Sequence, residues 1–339
     1  MAEAAQTVTE ALLVGIREIV SAALGQPARI SAMQRLTGGT SHDSWAFDAE
    51  VEGVIHPLIL RRDFSSEILD LDLATEYELL SRLYAAGLAV PKPLTSGDAR
   101  SVIGAAYSIS ERLTGGDVRK RMARQERPPA AIGVALVELQ ARIHKLEWAA
   151  IVDGLLPQYG AGTALYQVER WAGAAMLHAR GPDPLLAATV DWLKANLPVE
   201  TSLCLVHGDY KTNNLVAGVD GRFAIIDWEL AHIGDPLEDI AWTMLWRTPH
   251  DLVGGMLLPD QYIAAYENAV GVAVDQRRLD YWRLFVLMKL LAVFRKSTRL
   301  YRDSQHPRPT HIMLERAIPW LHRQLADRLI AATSREEGV

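Results

Sequence analysis

Apolar residues recur at helical spacing over residues 8–25, and the run stops at Gly25, so the chain opens with a helix. Ile30–Leu36 then reads as a strand and Thr37-Gly38-Gly39-Thr40-Ser41 as a turn. Ser44–Val51 alternates as a second strand, Gly53 marks another turn, and His56–Arg61 is a third short strand. Strand, glycine turn, strand, turn, strand predicts an antiparallel start. Residues 66–86 return to helical periodicity with Gly87 as the stop. Val90-Pro91-Lys92-Pro93 is an extended break. Ala105–Leu113 reads as a further strand ending at Thr114-Gly115-Gly116-Asp117, a linker.

Beyond the linker, residues 130–147 and 163–197 carry helical patterns. Leu203–Val206 is a short strand running into His207-Gly208-Asp209. Phe223–Ile226 is another, running into Asp227-Trp228-Glu229, with Gly218–Gly221 as a hairpin turn between them. From Leu237 onward the pattern is nearly all helical. The organisation is therefore α+β: a small antiparallel-sheet lobe over residues 1–112, ending in a hinge strand, then a larger, mostly helical lobe over 113–339.

Composition narrows the class. The net charge of −6 argues against a nucleic-acid or membrane-surface binder. The single cysteine, Cys204, lies in an apolar run and reads as a small buried hydrophobe. Acidic residues come early at the N-terminus with no basic region before them, which does not fit a secretory leader. The apolar stretch Leu284–Phe294 is too short to span a bilayer and is broken by Lys289. These features predict a cytoplasmic protein.

The chemistry concentrates in His207-Gly208-Asp209-Tyr210-Lys211-Thr212-Asn213-Asn214, with Asp227 after the next apolar strand. Phosphoryl transfer needs a carboxylate to orient and deprotonate the attacking hydroxyl, and oxygen ligands to hold Mg²⁺ against the phosphates. Asp209 fits the first role. Asn214, five residues on, and Asp227 fit the second. Any one of these residues alone would more often be a turn or cap residue; three at strand ends in this order form a specific pattern.

H-G-D-x-x-x-x-N followed by Ile225-Ile226-Asp227-Trp228-Glu229 resembles the aminoglycoside phosphotransferase family, over about residues 30–320. That family shares the protein-kinase-like two-lobed fold and includes choline and homoserine kinases. The resemblance implies ATP and Mg²⁺ as cofactors, Asp209 as catalytic base, Asn214 and Asp227 as Mg²⁺ ligands, and His207 as a brace for the loop. It also implies that Asp235 orients that loop. Glu229 is left between a second metal contact and a cap for the next helix. Lys211, just after the base, would help neutralise charge at the transferred phosphate.

The small lobe would then cover the nucleotide. Gly38, Gly39, Thr40 and Ser41 lie in a turn between strands whose backbone amides can cover phosphates. Arg61 stands on the third strand where protein kinases carry the lysine of V-A-I-K. Alternation turns its neighbour Arg62 to the other face. Glu76 is the expected partner of Arg61, with Glu67 and Glu78 as alternatives. Arginine is forked and planar where lysine is a point charge, so it can bridge phosphate oxygens in a different geometry. By the resemblance, Glu111-Arg112-Leu113 is the hinge, Glu111 and Leu113 presenting backbone groups to the adenine edge.

For the acceptor, residues 277–308 hold nine basic side chains, from Arg277 and Lys289 to Arg308, against Asp280 and Asp303. A basic surface on an acidic protein favours an anionic partner. The wording around His207 and Asp227 is similar to the branch with kinase-like domains fused to acyl-CoA dehydrogenases, which implies a hydroxyacyl-CoA acceptor. Solvated helix surface is the plain alternative for the basic residues. Trp228, Trp242, Trp246, Tyr281, Trp282, Phe285 and Phe294 read as core at their helical spacing, with the lining of an apolar acceptor pocket as the alternative. Two other functions remain open: a non-catalytic nucleotide-binding regulator, against which the full Asp209–Asn214–Asp227 set speaks, and an antibiotic kinase.

Overall fold

A two-residue turn sets the register of the first sheet. Glu52 and Gly53 both take positive φ, 49° and 78°, a mirror-image turn whose twist matches that of the strands it joins. It folds Val54–Arg62 (β3) antiparallel onto Asp43–Val51 (β2), with Val51 opposite Val54 and Ser44 opposite Arg61. Arg29–Leu36 (β1) pairs with β2, Tyr107–Glu111 (β5) with β3, and Pro93–Gly97 (β4) with β5. The sheet order is β1-β2-β3-β5-β4, antiparallel throughout. The sequence suggests only an extended break over Val90–Pro93; β4 starts at its last residue, Pro93, and is too short to show alternation.

The computed structural model describes residues 2–36, 42–63, 71–113, 115, 118, 129–156, 162–199, 202–218, 223–246, 252–303 and 313–336. The chain divides into two units. The first comprises Met1–Leu156 with Asp209–Ala231, the second Pro157–Gly208 with His232–Val339. The chain thus crosses from one unit to the other between Gly208 and Asp209.

In the first unit, Ala2–Leu24 (α1) sets Leu12, Ile16, Ile19 and Val20 against Phe47, Ala49, Leu58, Leu60 and Ile109 of the sheet. Leu73–Ala85 (α2) starts at Asp72, whose side chain accepts from Thr75 N at 2.7 Å. That cap sets the start seven residues after the periodicity alone suggests. Leu73, Glu76, Leu79 and Leu83 form its buried face, which puts one carboxylate among leucines. Pro129–His144 (α3) and Trp148–Val152 (α4) follow. Gly115 lies so close to β7, Leu215–Ala217, that a Cβ would fall 1.8 Å from the Ala217 carbonyl oxygen. β7 pairs with Phe223–Ile225 (β8). The expected partner of β8, the strand Cys204–Val206 (β6), instead pairs with His232–Gly234 (β9) in the second unit. The turn residues 219–222 lie outside the described residues.

In the second unit, the helix expected over 163–197 is two helices, Thr163–Leu177 (α5) and Pro184–Ala195 (α6). Asp183 caps α6 by accepting from Leu186 N at 3.0 Å, with Pro184 in the first turn. Apolar periodicity runs across this start signal and hides it. Pro236–Leu245 (α7), Pro259–Val270 (α8), Gln276–Asp303 (α9) and Ile318–Glu336 (α10) complete the unit. α9 buries Leu279, Trp282, Phe285, Val286 and Leu291, each contributing roughly 1.5–3 kcal/mol. The aromatic residues expected in the core are there, Trp246 half-buried and the others buried. No described helix is long and apolar enough to cross a membrane.

Lys289 corrects the basic-surface reading. It has no exposed surface. Its ammonium donates to Glu238 Oε1 at 2.9 Å and Gly208 O at 2.8 Å and lies 5.0 Å from the Trp242 ring centroid. Burial alone would raise the Glu238 carboxyl, but Lys289 and His232 outweigh it and hold the group down to about 2. A depressed carboxyl contributes stability above its ordinary value of 4.5 and loses it as pH falls towards 2. Lys289→Met, which strands that charge, should cost about 3–5 kcal/mol in urea unfolding near neutral pH. The deficit should shrink as pH falls below 4.5; an unchanged midpoint would contradict the pairing.

Candidate active site

The described candidate residues lie in the first unit. Arg61, facing away from Leu58 and Leu60 on β3, donates to Glu76 Oε1 at 2.6 Å and to Asp227 Oδ1 at 3.1 Å, with Glu229 Oε2 at 3.4 Å. Burial works against the charge of its guanidinium, but Glu76, Asp227 and Glu229 outweigh that and raise its pKa. Of the alternative partners, Glu78 pairs with Arg82 along α2 at 2.8 Å, and Glu67 lies outside the described residues. Arg62 points to the opposite face and donates to Asp43 Oδ2 at 2.9 Å, as strand alternation requires.

Glu76 Oε1 also accepts from Trp228 N at 3.1 Å. The adjacent Asp227 has φ of +72°, a left-handed conformation that aspartate tolerates better than most residues and that clusters at functional sites. Glu229 stays beside Arg61, and the cap of α7 is Asp235, so Glu229 is not that helix's cap.

Asp209 is buried at 8% exposure. Asn214 Nδ2 donates to its Oδ2 at 2.7 Å and to its carbonyl oxygen at 3.0 Å. Lys211 Nζ donates to both of its carboxylate oxygens, at 2.7 and 2.6 Å. The short 3₁₀ turn Thr212–Asn214 brings the loop back on itself and makes this possible. Tyr210, also buried, anchors the loop by donating to Leu136 O at 2.6 Å. In the second unit, the residues just before Asp209 are tied by Asp239, which accepts from His207 N at 2.8 Å and Gly208 N at 2.9 Å. Asp235, the expected orienter, instead caps α7 and pairs with Arg278 at 2.6 Å.

Glu111 continues β5, its amide donating to Lys92 O at 2.9 Å, and Arg112 N donates to Pro57 O at 2.9 Å. Leu113 follows, half-buried. Gly38, Gly39, Thr40 and Ser41 lie outside the described residues.

His42 was missed by the sequence reading. It is 5% exposed, and neither ring nitrogen has a hydrogen-bond partner among the described residues. Burial first, then the Arg61 cation, holds its pKa down to about 3, against the pull of Asp227, so the ring is neutral at physiological pH. Its Nε2 is 3.7 Å from Glu229 Oε2. The only sequence signal was its place directly after the glycine turn.

Asn214 and Asp227 suit a hard divalent cation. The amide nitrogen of Asn214 is committed to Asp209, which leaves its carbonyl oxygen as the group able to bind a metal. Asp227 adds a partly exposed carboxylate, and Mg²⁺ takes few protein oxygens beside substrate phosphates.

Among known proteins, residues 32–282 match the model of the phosphotransferase enzyme family, APH. Acyl-CoA dehydrogenase family member 11 of Rattus norvegicus is 33% identical over 229 residues, 63% of this chain but only 29% of that protein. A Ralstonia eutropha structure assigned to the aminoglycoside phosphotransferases superposes with a TM-score of 0.71 at 20% identity, covering 95% of this chain and 98% of that one. Choline kinase LicA of Streptococcus pneumoniae gives 0.60 at 15% identity, covering 93% and 98%. With a family match over residues 32–282 and a protein-kinase-like fold, the chain belongs to the phosphotransferase enzyme family.

Proposed function

We propose that the protein transfers the γ-phosphoryl group of ATP to a hydroxyl of an anionic small molecule, with a hydroxyacyl-CoA as the first candidate acceptor. The observation that carries this reading is the linked set Asp209–Asn214 and Asp227–Arg61–Glu76 within one unit. ATP use is supported by fold relatives determined with AMP or ADP. The acyl-CoA dehydrogenase relatives support the acceptor class. The arginines left exposed on α9, Arg277, Arg299 and Arg302, fit a polycationic antibiotic poorly.

In this reading Asp209 accepts the hydroxyl proton as that oxygen bonds to the γ-phosphorus and the bond to the β-bridging oxygen breaks, leaving ADP. Asn214 and Asp227 would hold Mg²⁺, which would supply neutralisation of phosphate charge. Arg61, oriented by Glu76, contacts the α- and β-phosphates. Lys211 orients the Asp209 carboxylate and adds positive charge close to the transferred group. Gly38 to Ser41 cover the phosphates, and the backbone at Glu111 and Leu113 meets the base. Most of the acceleration then comes from positioning and electrostatics.

The test is a screen of hydroxyacyl-CoAs, sugars and aminoglycosides with ATP and Mg²⁺, reading phosphate gain by mass spectrometry. A hydroxyacyl-CoA product supports the acceptor assignment, and turnover of aminoglycosides alone would overturn it. Asp209→Ala should lower kcat about 10²–10⁴-fold while ATP affinity stays within several-fold. Full activity in that variant would remove Asp209 as the base.

A further inference from the structure

His42 lies directly before β2, and its place there is fixed. Its neighbour Asp43 accepts from Arg35 Nε at 2.6 Å, Trp45 Nε1 at 2.7 Å and Arg62 Nε at 2.9 Å. The imidazole so anchored is buried, and neither nitrogen has a hydrogen-bond partner among the described residues. An unmet N–H at that depth is costly, and a group of this kind in a native fold asks for an explanation.

The surroundings supply one. Glu229 Oε2 lies near two nitrogens, Arg61 Nη2 at 3.4 Å and His42 Nε2 at 3.7 Å. Both distances exceed the span of about 2.7–3.2 Å in which an N–H···O bond has its full strength. The two arms of Arg61 differ. Nη1 donates to Glu76 at 2.6 Å, whereas Nη2 serves Asp227 at 3.1 Å and Glu229 at 3.4 Å. Nη2 is the looser arm, and it can turn to a phosphate oxygen while Nη1 stays on Glu76. A phosphate there draws Nη2 away from Glu229. The main chain of Glu229 is held, its carbonyl oxygen accepting from Leu71 N at 3.3 Å, so the side chain does the moving. A shift of about 0.8 Å brings Oε2 within hydrogen-bond reach of His42 Nε2. A carboxylate only accepts, so the ring proton belongs on Nε2. The neutral ring supplies that donor without adding a second cation beside Arg61.

We propose that His42 is a positioning residue of the nucleotide site: it takes over Glu229 Oε2 when a phosphate engages Arg61, and so eases the release of Arg61 to the nucleotide. The proposal rests on the ATP reading above and adds to it a partner exchange at Glu229.

The experiment is titration calorimetry of ATP with Mg²⁺ into the full chain and its variants, with melting curves of each taken without nucleotide. His42→Ala should weaken ATP binding by about tenfold, the scale of one hydrogen bond to a charged group. Glutamine places its amide nitrogen near the position of Nε2, and asparagine near that of Nδ1. His42→Gln should therefore restore affinity to within about threefold of wild type, while His42→Asn stays as weak as His42→Ala. In a Glu229→Ala background, removing His42 should cost less than about twofold, since the acceptor is already gone. A role in packing alone would lower the melting temperature of Gln and Asn variants alike and would not distinguish them in affinity. Undiminished ATP binding by His42→Ala, equal affinities for His42→Gln and His42→Asn, or an undiminished loss in the Glu229→Ala background would overturn the exchange and leave the ATP reading standing. Failure of the wild type itself to bind ATP would overturn that reading, and the exchange with it.

Discussion

One buried carboxylate organises the candidate active site. Glu76 is 2% exposed on α2, and an ion at that depth is tolerated only when its partners are close and well directed. Arg61 on β3 and the amide of Trp228 after β8 supply those partners. The same carboxylate therefore ties a sheet strand, a helix and the segment carrying Asp227. With Trp228 N fixed, the preceding residue is held in a left-handed conformation that it would not adopt freely. Arg61, held by Glu76, then reaches Asp227, so the cation proposed to meet phosphate and the carboxylate proposed to meet the metal are positioned together.

The second unit contributes another network of the same kind. Glu238, Lys289 and His232 form a fully enclosed cluster, and Asp239 takes two successive loop amides at His207 and Gly208. Buried networks of this sort add little net stability compared with apolar packing, yet they strongly disfavour every arrangement that leaves a member unpaired. The demand for a single loop geometry before Asp209 accounts for such groups sitting beside Trp171 and Trp242.

Much of this was legible in the sequence. The antiparallel strands β1 to β3 follow from alternation and glycine turns, and the return of Asn214 towards Asp209 from loop length; the pairing of Arg61 with Glu76 was expected from the kinase-like pattern, with Glu67 and Glu78 left open. The strand partners of β6 and β8 did not, because three-residue strands carry no periodicity and their pairing is set by contacts distant in sequence. The break before α6 lay in Asp183-Pro184, a local signal masked by continuous apolar spacing. Lys289 read as surface because charge alone does not reveal a buried partner fifty-one positions away, Glu238. His42 was silent for the same reason, since only the folded surroundings show a histidine with Arg61 and Glu229 beside it.

Calorimetric titration of ATP into the wild-type chain and Glu76→Gln, each with and without Mg²⁺, tests the central claim most directly. The account predicts Mg²⁺-dependent binding to the wild type and a loss of about tenfold or more in the variant, because glutamine keeps the shape but not the charge that holds Arg61. Binding that ignores Mg²⁺, or equal affinity in a folded Glu76→Gln protein, would contradict it.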